Sequence, residues 1–170
     1  MKKQVIFSIA LIFTLIGCSP NDDSVVTASD RQFIQNAFQR NLLDIQTSQI
    51  VRTRGTIEPI KRYSQMLISQ ASLNQEELLD LARKRDIQMA VELQTTMQQE
   101  VSTLLNTPME KFDETYLAMI IQSRKKVISL YEGQIRDGKD NALREWASKK
   151  ISGFKKELEN AESLVEMNSL

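Results

Sequence analysis

The chain reads as an all-α protein, an up-and-down four-helix bundle with one additional short helix. Three observations predict this. Apolar residues recur at steps of three and four through most of the chain, which is the period of a helix face. No stretch alternates apolar and polar residues for long enough to form a strand, and β-branched and aromatic residues are sparse. Only 5 Gly and 3 Pro interrupt 170 residues, of which 26% are charged and 41% hydrophobic. That balance suits one globular domain and excludes collagen-like, disordered and multi-span membrane chains.

The elements follow in order. Ser29 or Asp30 is placed to cap a first helix, whose stripe is Ile34, Ala37, Phe38, Leu42 and Ile45, and Gly55 is placed to stop it. Pro59 suits the first turn of a second helix, with Ile60, Tyr63, Leu67, Leu78 and Leu81 inward. A weaker segment carries Leu93, Met97, Val101 and Leu104 before Pro108. Phe112, Tyr116, Ile120, Val127, Leu130 and Ile135 mark a long helix that ends at Gly138. Leu143, Ala147, Ile151, Phe154, Leu158, Ala161 and Val165 mark the last, with Asp140 as its cap. Four helices of about 24–30 residues extend about 36–45 Å at 1.5 Å per residue. Short connections near residues 55–58 and 138–140 make their neighbours antiparallel, and the segment 86–108 can carry the chain across or along the bundle. Its weak helix is expected to cap one end of the core. A core of this size needs no metal or disulfide to stand.

The N-terminus reads as an address. Lys2 and Lys3 precede an apolar run from Val5 to Ile16, too short for a bilayer core that needs about 20 residues. The ending Leu15-Ile16-Gly17-Cys18 resembles the bacterial lipobox, which implies cleavage before Cys18, a diacylglycerol on its thiol and an acyl group on its new amine. Such acylation anchors a chain stably. The expected organisation is a lipoprotein signal peptide at 1–17, the lipidated cysteine and a flexible tether at 18–29, and the bundle at 30–170. Ser19 resembles the outer-membrane sorting class, and Asn21-Asp22-Asp23 resembles the acidic stretch that exports some Bacteroidota lipoproteins to the surface. A short acidic linker explains the same residues. The expected location is therefore the outer membrane, on its periplasmic face or at the cell surface. Cleavage removes two lysines and no acid, so the lipid rather than a polybasic patch supplies membrane affinity.

Composition excludes several functions. Lys+Arg and Asp+Glu are equal at 22 each, so there is no basic footprint for nucleic acid. With no histidine and one cysteine, there is no intramolecular disulfide, no histidine base or triad, and no imidazole metal site.

Polar residues interrupt the apolar stripes. Gln70 and Asn74 fall on the face of Leu67, Leu78 and Leu81, Arg124 continues Ile120–Val127–Tyr131, and Glu157 continues Phe154–Ala161–Leu164. Burying such groups costs several kcal/mol unless they are paired. They form either a polar site inside the bundle or, more commonly, a satisfied cluster that fixes helix register or side chains that snorkel at the stripe edges.

Several stretches carry a family resemblance. Asn41-Leu42-Leu43-Asp44-Ile45, Met66-Leu67-Ile68-Ser69-Gln70 with Leu78-Leu79-Asp80-Leu81-Ala82, Phe112-Asp113-Glu114-Thr115-Tyr116, and Phe154 to Ala161 resemble the successive helices of the bacterial envelope family known as domain of unknown function 4142. The resemblance spans about Asp30 to Val165 and implies a ferritin-like bundle with no established activity. It also implies three histidine positions, held here by Gln70 (after Ser69), Arg124 and Glu157. Imidazole-based zinc, copper or di-iron chemistry is therefore not carried over, and no metal or other cofactor is expected. Arg124 and Glu157 are complementary, so they are expected within ion-pair reach near the second helix, with Gln70 approaching. Asp44 and Asp80 read as solvated or paired charges, and Asp113 as a helix-start acid.

The leading function is a noncatalytic, lipid-anchored helical module that acts through contact with an envelope protein or as a stress-associated spacer. A carboxylate metal site in a ferritin-like core is the alternative, requiring several of Asp44, Asp80, Asp113 and Glu157 to converge. An apolar tunnel of about 300 Å³ or more would instead indicate ligand binding.

Overall fold

The computed structural model describes residues 26–168, so Cys18, the signal segment and nearly all of the tether lie outside the described residues. Five helices follow: α1 (Ala28–Arg54), α2 (Glu58–Arg83), α3 (Thr95–Asn106), α4 (Met109–Asp137) and α5 (Asn141–Asn168). Among the described residues there is no strand, and no helix is long and apolar enough to cross a membrane.

The punctuation residues act locally. Gly55 and Gly138 end α1 and α4, each donating its backbone N–H to the carbonyl four residues back. A side chain at Gly138 would collide with the side chain and carbonyl of Gln134. Pro59 sits in the first turn of α2. Asp140 accepts the Leu143 N–H at 3.0 Å and so caps α5. The start of α1 corrects the expectation. Thr27 is the cap, and Asp30 is its reciprocal partner three residues on, in a capping box. Residues 28 and 29 therefore belong to α1.

The four long helices pack with all neighbouring pairs antiparallel. α1 lies beside α2 and α4, and α5 lies beside α4 and α2. The α1 start meets the α4 end through Gln134 and Asp30, and the α2 start meets the α4 start through Thr56 and Asp113. The chain thus runs up, down, down, up, so the connection from α2 to α4 must return the full length of the bundle. A single long crossover of this kind is the ferritin-like connectivity.

The crossover corrects a second expectation. α3 does not cap an end of the core but runs alongside the second half of α1. Gln39 donates to the carbonyls of Ala90 and Glu92 at 3.0 Å each and accepts the Gln94 N–H at 2.9 Å. Leu43 then packs on Leu93 and Met97. Further along, Arg54 donates to the carbonyls of Leu104, Leu105 and Thr107. α1 is thus buried on two sides, one toward the bundle and one toward α3.

The core has two apolar halves. One gathers Phe33, Phe38, Leu78, Tyr131, Leu143 and Phe154 near the α1 start. The other gathers Val51, Ile60, Leu67, Phe112, Tyr116 and Leu164 near the α1 end. Buried carboxylates fasten both ends. Asp30 accepts from Gln134 Nε2 at 2.7 Å and from the Lys139 N–H at 3.1 Å. Asp140 takes Arg85 in a two-point grip at 2.6 and 2.8 Å. Asp113 is not the helix-start acid expected: α4 has Glu110 as its first-turn acid, and Asp113 is its fifth residue. Its Oδ2 accepts from the N–H groups of Thr56 and Ile57 at 2.9 and 3.1 Å and from the Thr56 hydroxyl at 2.6 Å, holding the turn into α2.

Candidate functional site

A charged layer lies between the two apolar halves. α1 reaches it through Asp44, α4 through Arg124 and α5 through Glu157. Arg124 is 1% exposed, Asp44 1% and Glu157 8%. Arg124 Nη2 stands 2.8 Å from Asp44 Oδ2, and Nε stands 2.9 Å from Glu157 Oε2. The Nε contact is an ion pair whose angle misses that of a hydrogen bond, and Nε and Nη1 have no hydrogen-bond partner. The guanidinium carbon lies 5.7 Å from the centre of the Phe154 ring, within cation–π range. Ser123 donates to Asp44 Oδ1 at 3.4 Å. α2 joins through Tyr63, whose hydroxyl donates to the Glu157 backbone carbonyl at 2.7 Å.

One guanidinium therefore faces two carboxylates. Burial by itself lowers the Arg124 pKa, but Asp44 and Glu157 outweigh it and hold the pKa above its ordinary value, so the group stays charged. Burial pushes Glu157 up from 4.5. Arg124 opposes this, and Asp44 adds to it because both acids share a single cation. The hydroxyls of Tyr63, Tyr116 and Tyr131 are pushed up chiefly by burial and act as neutral groups.

The sequence-predicted residues divide. The structure brings Arg124 and Glu157 together. It does not bring Gln70 to them: Gln70 is exposed and lines, with Asn74 and Glu157, a groove of about 200 Å³ between α2 and α5. The inward row of α2 is Leu67, Ala71, Asn74 and Leu78, which rotates Gln70 past the edge. The place anticipated for Gln70 is taken by Asp44, which sequence reasoning left among the solvated or paired charges. Asp80 is a surface partner of Lys84 at 2.7 Å. Cys18 lies outside the described residues.

The chemistry open to this layer is narrow. Arg124 is sealed in, Asp44 is sealed with it, and Glu157 alone reaches a surface groove. Among the described residues no group of three or more His, Cys, Asp or Glu side chains could hold a metal ion. The carboxylates named for a metal alternative are dispersed: Asp113 holds the turn into α2, Asp80 faces solvent, and Asp44 and Glu157 flank a cation.

The comparisons with known proteins agree with this architecture. The family model described as Domain of unknown function (DUF4142) matches residues 18–164. None of the curated proteins matches the chain. The crystal structure of a DUF305 fragment from Deinococcus radiodurans is similar, with a TM-score of 0.74 at 11% identity, covering 84% of this chain and 98% of that one. At that identity the likeness concerns the fold alone.

Proposed function

From the premise that the chain belongs to the DUF4142 family of domains of unknown function, we propose that it is a noncatalytic, lipid-anchored helical module of the bacterial envelope that works by contact with another protein. One observation carries the reading. The middle of the bundle, where four helices could present a site, is filled by Arg124 between Asp44 and Glu157. A buried cation with two carboxylates sets which helices pair and in what register, and it leaves no free acid–base couple for a reaction. The outer surface is then left to do the work.

The anchor is proposed from Leu15–Cys18, with the outer membrane as destination. α1 begins at Ala28, so about ten residues separate Cys18 from the rigid body. The test has two arms. Labelled fatty acid should enter the wild-type chain but not Cys18→Ala, and photo-crosslinkers on the surface of the anchored protein should trap a defined envelope protein. Absence of label removes the anchor from the account, and absence of any trapped protein removes the contact role.

A further inference from the structure

A cavity of about 670 Å³ opens where α2 and α4 begin and α5 ends, at the end of the bundle away from the start of α1. This volume is in the range of ligand-binding clefts. Its floor is apolar, from Ile57, Ile60 and Leu117, and its acidic wall is Glu110, Asp113 and Glu114. No Lys or Arg is among the described residues that line it. Glu110 and Glu114 stand four apart on α4 and so share a face. Glu114 meets Lys111 at 3.2 Å only in an exposed pair, which neutralises little. Asp113 is 7% exposed and its Oδ2 holds the turn into α2, so the accessible acids of the wall are Glu110 and Glu114. Exposed Met109 adds an apolar side chain to the lining.

We propose that this cavity receives a basic side chain, Lys or Arg, and an adjoining apolar residue from a segment of a partner protein. A long basic side chain has the matching shape, an alkyl stem for the Ile57–Ile60–Leu117 floor and a cationic head for Glu110 and Glu114. The wall charge selects a cation, and the apolar floor selects one carried on hydrocarbon. The proposal rests on the protein-contact reading above and names the face and the partner's chemistry. α1 spans about 40 Å between this cavity and the N-terminal end, so the cavity lies at the end of the bundle opposite the attachment of the proposed anchor.

The test uses the full chain in neutral lipid nanodiscs, with empty nanodiscs as blank. A fluorescent Leu–Lys amphipathic peptide should bind, with affinity falling as salt rises, and a Leu–Glu peptide of equal length should not. Glu110→Gln/Glu114→Gln should weaken the basic peptide about five- to tenfold, while Leu73→Glu, an exposed site elsewhere on α2, should leave it unchanged. Circular dichroism checks that both variants are folded. Equal binding of the two peptides, or no effect of the glutamine pair, overturns the assignment. Binding of dodecylammonium without the peptide overturns the choice of a protein partner. In either case a protein crosslinked through another face would leave the contact reading standing, whereas the lack of any crosslinked protein would remove that reading too.

Discussion

Asp44 of α1 and Arg124 of α4 meet at 2.8 Å with side chains 2% and 1% exposed, in the layer between the two apolar halves of the bundle. The contact ties helices that are distant in sequence, and Glu157 on the other side of Arg124 extends it to α5. Two acids share one base in this layer.

Removing the base alone should therefore be severe. Arg124→Met leaves two carboxylates buried without a counter-ion and should cost about 3–5 kcal/mol. A double-mutant cycle between Arg124 and Glu157 should give a coupling above the roughly 0.2–1 kcal/mol of an exposed bridge. Urea unfolding followed by circular dichroism measures both. A coupling within the exposed range would mean the layer is wetter than its burial indicates.

Two carboxylates should shape the pH dependence in opposite directions. Burial pushes Asp30 upward, but hydrogen bonds from Thr27, Gln134 and Lys139 outweigh it and hold the pKa at about 2, against 3.8. Its native state binds the proton less tightly, so its contribution is present above 3.8 and is lost as the pH falls through about 2. Glu157 is raised above 4.5 by burial, so its native state binds the proton more tightly. Its contribution is present below 4.5 and is lost as the pH rises through the raised value. Urea midpoints across the pH range should show a weaker acid limb in Asp30→Asn and a flatter decline above 4.5 in Glu157→Gln. Slopes identical to wild type in both variants would contradict these assignments.

Leu67 and Phe154 occupy different apolar halves, and both are buried. Phe154 also stacks edge-on against Tyr131 at 4.8 Å and lies beside the Arg124 guanidinium. Leu67→Ala and Phe154→Ala should each cost about 2–5 kcal/mol. Losses below about 0.5 kcal/mol at both sites would place them outside a packed core.

Helix ends and most inward rows were legible because they follow local rules: glycine stops, a proline in a first turn, an aspartate cap and apolar steps of three and four. α1 shows where legibility fails. Its inward row is Asp30, Ile34, Ala37, Asn41, Asp44, Ser48 and Val51, all buried. Four of these seven are polar, so the apolar pattern drifted instead to Leu42 and Ile45, which are half-buried. Leu42 faces the α3 cluster. Spacing exposed Arg124 and Glu157 because apolar neighbours surround them on their rows. It hid Asp44, whose row is polar through the charged layer. The flank position of α3 was hidden as well, because Gln39 holds the crossover through backbone carbonyls about 50 residues ahead, and no local pattern encodes such a contact.

In the reading proposed above, the Asp44–Arg124–Glu157 layer is architecture rather than a working site. Replacing all three with apolar residues of similar volume, as in Asp44→Leu/Arg124→Met/Glu157→Met, separates these roles, since exchanging a buried ion cluster for good packing is often neutral or stabilising by about 1–4 kcal/mol. The decisive measurement compares the melting temperature and crosslinked partner of this triple variant with those of the wild-type chain in the native envelope. An architectural layer should give a helical protein with an equal or higher melting temperature that traps the same partner. A variant that is folded and equally stable yet has lost the partner would contradict that reading.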